Sequence, residues 1–247
     1  MTQRGRLLLV PTPLADVAAT PLHAVLPQAT IDAAATLQHW VVENAKSARA
    51  FLGAVHALQP LRVPLQQQSM VELPKHAALD AAAARALLQP ALQGHDIGLL
   101  SEAGAPCVAD PGATVVAAAH ALELTVLPLI GPSSILLGLM ASGLDGQRFA
   151  FHGYLPLERE ARARRIRQLE RESAQWRQTQ LCIETPYRNA ALLQALCTTL
   201  REDTRVTVAC ALTAPHAFVR TQAAGRWRGE LARLPDKVPT LFGFLAA

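Results

Sequence analysis

The sequence predicts an α/β protein built as two lobes, each a sheet covered by helices. Short apolar, β-branched runs alternate along the 247 residues with longer stretches whose apolar side chains recur at helical spacing. Hairpin-like extended stretches occur only towards the end, so the second sheet is expected to be mixed. We place the boundary near residue 115, between an amino-terminal α/β lobe (1–115) and a carboxyl-terminal α/β lobe with a mixed sheet (116–247).

The first lobe begins with a strand, and helices and strands are expected to alternate from there. Thr20 caps a predicted helix that Pro21 opens and that ends at Leu26. A second predicted helix has four apolar residues on one face, and a third is alanine-rich and stopped by Gly94. The predicted helices after Leu26 are Ala45–Leu58 and Ala77–Gln93. The predicted strands are Leu7–Val10, Ala29–Ala33, Trp40–Glu43, Arg62–Leu65 and Asp96–Leu100.

The same alternation continues through the second half. The predicted helices are Pro111–Leu122, Pro132–Ala141, Glu158–Arg177 and Asn189–Leu200. The predicted strands are Thr125–Leu129, Arg148–Phe151, Gln180–Ile183, Val206–Leu212 and Thr240–Leu245, with an extended stretch at Phe218–Gln222.

Composition is that of a globular protein, with 51% hydrophobic and 17% charged residues. No apolar run approaches the roughly 18 residues of a membrane span, and Met1–Gly5 does not begin a signal peptide. We therefore expect a cytoplasmic protein without a membrane partner. No cysteine pair or histidine cluster has metal-ligand spacing, so a metal site is not expected. The four cysteines are predicted to be reduced and buried: Cys107, Cys182, Cys197 and Cys210.

Positive charge is concentrated in the second half. Residues 1–115 carry 7 Lys and Arg against 8 Asp and Glu, whereas residues 116–247 carry 16 against 11. The predicted helix Glu158–Arg177 is rich in both arginine and glutamate. A basic second half is compatible with an RNA substrate, and equally with a solvated surface whose charges pair with one another.

Two turns that follow predicted strands are chemically informative. The turn after the first strand, Val10–Asp16, lacks a GxGxxG motif, which disfavours a Rossmann-type nucleotide site and leaves a rigid structural turn as an alternative. The turn Ser101–Gly112 consists mostly of small residues, and Asp110 is expected to cap the next helix. Small side chains leave backbone carbonyls free to approach a cation such as the sulfonium of S-adenosylmethionine (SAM). A purely structural loop is the alternative.

A third turn, Leu129–Ser134, again leads from a strand into a helix. Ser133 or Ser134 can cap that helix, and free amide groups there can meet a carboxylate or hydroxyl. Simple capping is the alternative for this turn considered alone.

Together these segments resemble one family. The sequence is similar to the tetrapyrrole methylase superfamily of SAM-dependent methyltransferases, and most similar to its branch that methylates the ribose 2′-hydroxyl of a cytidine in small-subunit ribosomal RNA. The stretches that carry the resemblance are LLLVPTPLADV (7–17), LLSEAGAPCVADPG (99–112), LPLIGPSS (127–134), ASGLDGQRFAFHGYLP (141–156) and IETPYR (183–188).

The resemblance implies two α/β lobes with SAM in the cleft between them, and a homodimer. The acceptor would enter beside Pro11–Pro13, Glu43, Glu184 and Arg188. The residues implied to contact SAM are Leu100, Ser101, Glu102, Ala103, Gly104, Ala105, Val108, Ala109, Asp110, Gly131, Pro132, Ser133, Ser134, Ala211, Leu212, Pro239 and Thr240.

The chain departs from the pattern of this branch mainly at the expected acceptor site. Ala15-Asp16 stands where the branch has Gly-Asn, and Glu43-Asn44-Ala45-Lys46 stands where the branch has Glu-Asp-Thr-Arg. Gln66–Ser69 stands where the branch has a histidine-rich stretch, and Cys210–Thr213 stands where the branch has Arg-Glu-Leu-Thr. The expectation of SAM binding is therefore firmer than that of any particular acceptor.

The expected reaction is an in-line methyl transfer without a covalent intermediate. Glu43 and Glu184 are the candidates to orient or deprotonate the acceptor hydroxyl, and Arg188 or Lys46 to hold phosphate. An ordinary ion pair is the alternative for each of them. Two other functions stay open: methylation of a small molecule such as a tetrapyrrole, and a catalytically inactive SAM-binding regulatory module.

Overall fold

The fold consists of two units, each with its own five-stranded sheet. The structure is a computed structural model, and it describes residues 3–15, 20–74, 79–230, 234 and 237–247. Met1–Ser133 form the first unit and Ser134–Ala247 the second. The predicted boundary near residue 115 is therefore corrected, because the strand at Val126–Pro128 pairs with the first strand and belongs to the first sheet. The prediction of an α/β fold is confirmed.

The first unit holds a fully parallel sheet in the order β3-β2-β4-β1-β5. Its strands are β1 (Leu7–Val10), β2 (His39–Val42), β3 (Ser69–Glu72), β4 (Ile97–Leu100) and β5 (Val126–Pro128). Its helices are α1 (Gln28–Thr36), α2 (Ala45–Leu58), α3 (Ala81–Leu87), α4 (Gln89–Leu92) and α5 (Ala113–Ala121). Short 3₁₀ turns lie at Leu22–Ala24 and Leu65–Gln67.

The core of the first unit forms on both faces of this sheet. Helix α2 buries the face that its spacing predicts, namely Ala48, Phe51, Leu52 and Val55. All four residues of β4 are buried, as expected for a central parallel strand. Gly98 in β4 has no side chain because a Cβ there would lie 2.4 Å from the Trp40 ring of the neighbouring β2.

Several predicted elements of the first unit are corrected. Ala29–Ala33 lies within helix α1 rather than in a strand. The strand expected at Arg62–Leu65 is found at Ser69–Glu72. The long helix predicted over Ala77–Gln93 is two shorter helices from Ala81 onwards, and Ala77 and Ala78 lie outside the described residues. Pro21 precedes a single 3₁₀ turn rather than an α-helix.

The second unit holds a mixed sheet in the order β6-β7-β10-β8-β9, as predicted. Strands β6 and β7 are parallel, and the other neighbours are antiparallel. The strands are β6 (Phe149–Tyr154), β7 (Thr179–Glu184), β8 (Arg205–Cys210), β9 (Phe218–Ala223) and β10 (Thr240–Leu245). The helices are α6 (Ser134–Ser142), α7 (Arg159–Trp176), α8 (Asn189–Thr199) and α9 (Ala224–Trp227), and a 3₁₀ turn spans Pro186–Arg188.

Alternate residues of the central strands face two separate apolar clusters in this unit. Phe242 and Phe244 of β10 pack with Ile166 and Leu169 of α7 and with α8. Leu241, between the two phenylalanines in β10, packs instead with Ile135 and Leu139 of α6. Helices therefore cover both faces of the second sheet. Among the residues that the structure describes, no helix is long and apolar enough to cross a bilayer.

Candidate active site

In the first unit, the turns that follow β1, β4 and β5 contact one another. Thr12 and Gly104 form a two-way bridge: the Thr12 N–H donates to the Gly104 carbonyl at 2.9 Å, and the Gly104 N–H donates to the Thr12 carbonyl at 3.1 Å. A Cβ on Gly131 would lie 2.3 Å from Cγ of Pro11. The three turns that the sequence singles out thus meet at the carboxyl edge of a parallel sheet, where α/β proteins bind ligands.

The turn between β4 and α5 has an unusual backbone. Gly104 and Gly112 have φ values of +80° and +132°, and the non-glycine residues Cys107 and Ala109 have φ values of +67° and +65°. Left-handed conformations cost energy for residues with a side chain, and such residues cluster at functional sites. A Cβ on Gly104 would lie 3.5 Å from the Pro132 carbonyl oxygen. The predicted SAM-binding turns are therefore neighbours within one unit.

Helix α5 does not begin as predicted. Its N-cap residue is Gly112, with no side-chain capping bond, so the assignment of Asp110 as the cap is wrong. Asp110 instead lies half-buried near two other acidic side chains, and we call Asp110, Glu43 and Glu102 the acidic corner. The pKa of Asp110 is raised to about 6, mainly by burial and then by the charges of Glu43 and Glu102, while the hydrogen bond with Ser101 opposes the shift.

Glu43 is held at this corner by the backbone. Its own N–H donates to the Leu100 carbonyl at 3.2 Å, and its Oε2 accepts from the Glu102 N–H at 3.1 Å. The carboxylate of Glu43 is therefore oriented by the first residues of the turn that is predicted to hold SAM.

The first turn of α2 forms the neighbouring wall. Asn44 caps the helix, because its Oδ1 accepts from the N–H groups of Lys46 at 2.9 Å and Ser47 at 3.4 Å. Glu72, at the end of β3, accepts from the Ala45 N–H at 2.6 Å. Asn44 stands where the family branch has an aspartate. An asparagine directly before a predicted helix is itself a signal of a cap, so this role could have been predicted from the sequence.

A cavity of about 400 Å³ opens between α2 and the turns after β1 and β4. Of the residues predicted to act in the site, Lys46, Glu102 and Ala103 line it. Glu43 and Gly131–Ser133 are not among its lining residues. The other lining residues are Thr12, Pro13, Leu14, Ala15, Asn44, Ser47, Ala50 and Phe51. Asp16, which follows Ala15, lies outside the described residues.

In the second unit, Glu184 and Arg188 form a bidentate ion pair. Nε of Arg188 donates to Oε1 of Glu184 at 2.8 Å, and Nη2 donates to Oε2 at 2.9 Å. The Thr185 N–H also donates to this carboxylate, at 2.6 Å. Burial alone would raise the pKa of Glu184, but the bonds from Arg188 and Thr185 and the charges of Arg188 and Arg162 hold it below its usual value.

Three further predicted residues lie at the same edge of the second sheet as Glu184. Thr240 pairs in register with both Glu184 and Cys210, and the Ala211 N–H donates to the Pro239 carbonyl at 2.9 Å. Ala211 also has a positive φ, +48°. Leu212 instead packs on the apolar cluster around Leu139, and Ser134 is the first residue of α6.

The fold and the sequence together place the chain in a known protein family. The chain belongs to the family of tetrapyrrole (corrin/porphyrin) methylases, which it matches over residues 29–225. The methyltransferase CobJ has a similar fold, with a TM-score of 0.62 and 15% identity over 98% of this chain and 95% of that one. The uroporphyrin-III-C-methyltransferase of Thermus thermophilus has a TM-score of 0.54 and 16% identity over 98% and 94%.

Several curated relatives share one name. The ribosomal RNA small subunit methyltransferase I of Synechocystis sp. is 35% identical over 145 residues, 59% of this chain and 48% of that protein. The protein of the same name from Xylella fastidiosa is 35% identical over 123 residues, 50% and 44%. The one from Escherichia coli O157:H7 is 32% identical over 130 residues, 53% and 44%. The chain thus spans about half the length of the curated relatives it matches.

Proposed function

We propose that this protein is a SAM-dependent methyltransferase whose acceptor is the ribose 2′-hydroxyl of a cytidine in small-subunit ribosomal RNA. The observation that carries the proposal is the contact between the turn Ser101–Gly112 and the turn at Gly131–Ser133 in a chain of this family. The relatives named ribosomal RNA small subunit methyltransferase I support the choice of acceptor.

The chemistry of the first unit suits SAM. The turn after β4 presents small side chains and close-lying backbone, and three carboxylates surround it: Glu43, Glu102 and Asp110. A sulfonium cation is attracted by such groups and repelled by arginine or lysine. Residues Leu100–Ala105, Val108–Asp110 and Gly131–Ser133 would hold the cofactor from this unit.

SAM supplies an electrophilic methyl group when bound. Glu43 is the better of the two candidates to accept the proton of the ribose hydroxyl. The carboxylate of Glu184 is occupied by Arg188, and its lowered pKa makes it the weaker base. Glu43 accepts only one described hydrogen bond, from the Glu102 N–H. Lys46, exposed at the mouth of the cavity, would attract a phosphate of the acceptor.

Substitutions in the two units test these roles. We expect Glu43→Gln and Arg188→Ala each to reduce turnover about 100-fold or more while SAM affinity, measured by calorimetry, changes less than about threefold. Unchanged turnover in both variants would remove the assignment.

The acceptor is tested by transfer of a labelled methyl group from SAM to small ribosomal subunits from a strain that lacks this gene. Label in a ribose of the RNA supports the proposal. Label only in small molecules would instead support a tetrapyrrole-type acceptor. Binding of SAM without any transfer would identify an inactive regulatory module.

We also propose that the protein works as a cytoplasmic homodimer, as the family resemblance implies. Leu136 and Met140 are exposed one turn apart on α6, and an apolar strip of this kind is typical of a surface that another protein covers. Sedimentation velocity tests this proposal: a dimer whose dissociation constant rises on Met140→Glu supports it, and a monomer at micromolar concentration contradicts it.

A further inference from the structure

Both tyrosines of the chain are exposed at the same edge of the second sheet. The sequence contains only two, Tyr154 and Tyr187, and their exposed fractions are 59% and 80%. Tyr154 ends β6 and pairs in register with Ile183 of β7, and Tyr187 follows the end of β7 in the 3₁₀ turn. Large aromatic rings bury apolar area when they can, so two exposed rings at one strand edge indicate a binding surface.

Two arginines lie near Glu184 at this edge, and one of them, Arg188, is also near Tyr154. The pKa of Arg188 is raised chiefly by its hydrogen bond to Glu184, and the Tyr154 phenol contributes as well, because it lies near the guanidinium. Arg162, in the first turns of α7, is close enough to lower the pKa of Glu184. The Nε atom of Arg162 is buried and has no hydrogen-bond partner.

Two carboxylates lie near Arg162, namely Glu184 and Glu158, and the oxygens of Glu158 accept from the N–H groups of Glu160 and Ala161. Glu184 is one buried carboxylate, and both of its oxygens are already engaged by Arg188 and Thr185. Arg162 therefore has a charge that Glu184 does not neutralise at hydrogen-bond distance. A buried guanidinium nitrogen without a partner is costly, and an anionic ligand that bonds it would recover that cost.

We propose that Tyr154, Tyr187, Arg162 and Arg188 form a subsite for a single-stranded segment of the RNA acceptor, in which the two tyrosines stack on bases and the two arginines hold phosphate. The inference rests on the proposed function and extends it from the acceptor atom to the strand around it. Stacking on side chains requires unpaired bases, so the segment is a loop, bulge or end rather than a duplex.

Stacking is tested with a fluorescently labelled single-stranded RNA oligonucleotide and the full chain. The double variant Tyr154→Leu with Tyr187→Leu should weaken binding by at least about 25-fold, since each of the two lost stacks contributes about 5-fold or more to affinity. The double variant to phenylalanine keeps the rings and should bind within about twofold of the unsubstituted protein. Trp176→Leu, an equally exposed aromatic at the far end of α7, is the matched control and should change nothing.

The phosphate contact is tested by the salt dependence of the same affinity. Arg162→Gln should reduce the slope of log K against log salt by about 0.7, the value for one phosphate contact on a single strand. Arg167→Gln, an exposed arginine further along α7, should leave the slope unchanged. An equal decrease in both variants would indicate a diffuse basic surface and overturn the local subsite.

The outcomes separate this subsite from the proposed function. If the unsubstituted protein methylates and binds RNA but the leucine variants bind equally well, the subsite is wrong and the function stands. If RNA binding depends on both tyrosines but no methyl group is transferred, the function is wrong and the subsite stands. Absence of binding to single-stranded RNA overturns the subsite, and methyl transfer to small ribosomal subunits then decides the function alone.

Discussion

Single residues decide the electrostatics of the candidate site. Asp110 was expected to cap a helix, which would have kept its carboxylate ionised. It lies instead beside Glu43 and Glu102, and its pKa is raised to about 6 by burial and by its acidic neighbours. Asp110 therefore keeps its proton up to a higher pH in the folded protein than in the unfolded chain, and it ionises near pH 6 rather than near pH 4.

This shift predicts a pH-dependent effect of Asp110→Asn on stability. The pKa of Asp110 is 3.8 in the unfolded chain and about 6 in the folded one, so the folded state binds the proton more tightly between these values. Its stability therefore decreases as pH rises from about 4 to about 6, and the cost is complete above that. The gain in melting temperature caused by Asp110→Asn should grow over this range and then level off. A gain that is constant from pH 4 to pH 8 would contradict the shift.

Gly131 is the residue whose substitution most directly probes the contact between turns. A Cβ there would lie 2.3 Å from the Pro11 ring and 3.0 Å from Leu26. Gly131→Ala should cost about 1–3 kcal/mol in chemical denaturation and should weaken SAM binding, because the two turns must separate. Gly146→Ala, which adds its Cβ to open space, is the control and should leave both measurements unchanged.

At the scale of elements, the first turn of α2 contributes both to the stability of the fold and to the wall of the cavity. Asn44 bonds two N–H groups of the first turn, and this turn lines the cavity. We expect Asn44→Ala to lower the free energy of unfolding by about 1 kcal/mol and Asn44→Ser, which keeps a capping oxygen, to restore most of it. Equal losses in both variants, measured by denaturant titration, would show that the amide does more than cap.

Elements with strong side-chain periodicity were predictable, and elements defined by tertiary pairing were not. The spacing of Ala48, Phe51 and Val55 predicted α2, and β10 was predicted to the residue at Thr240–Leu245. Ala29–Ala33 is too short and too rich in alanine for its sequence to separate strand from helix. The position of β3 depends on its pairing with β2, which a single sequence does not encode locally.

The turns that form the candidate site were predictable from the sequence, but the orientation and exposure of their side chains were not. The positions of turns after predicted strands, together with the family resemblance, located Ser101–Gly112 and Leu129–Ser134. The structure brings these two turns together. The orientation of Glu43 by the Glu102 N–H and the exposure of Tyr154 and Tyr187 depend on how strands are ordered in each sheet. Strand order joins residues that are distant in sequence, and therefore neither feature has a local signal.

At the scale of the whole molecule, each sheet has strands protected on both sides and strands at its edges. β2, β4 and β1 are interior in the first sheet, and β7, β10 and β8 are interior in the second. Native-state hydrogen exchange should be slowest at these interior strands and at least about tenfold faster at β3 and β9. Edge strands that exchange as slowly as β10 would indicate that another surface covers them.

The position of β10 has a consequence for synthesis on the ribosome. All five strands of the first sheet have been made by residue 128, whereas the middle of the second sheet is made last, at Thr240–Leu245. The first unit can close while translation continues. Strands β7 and β8 keep unpaired backbone edges until β10 emerges and inserts between them. This half of the nascent chain is therefore the part that chaperones at the ribosome would need to shield.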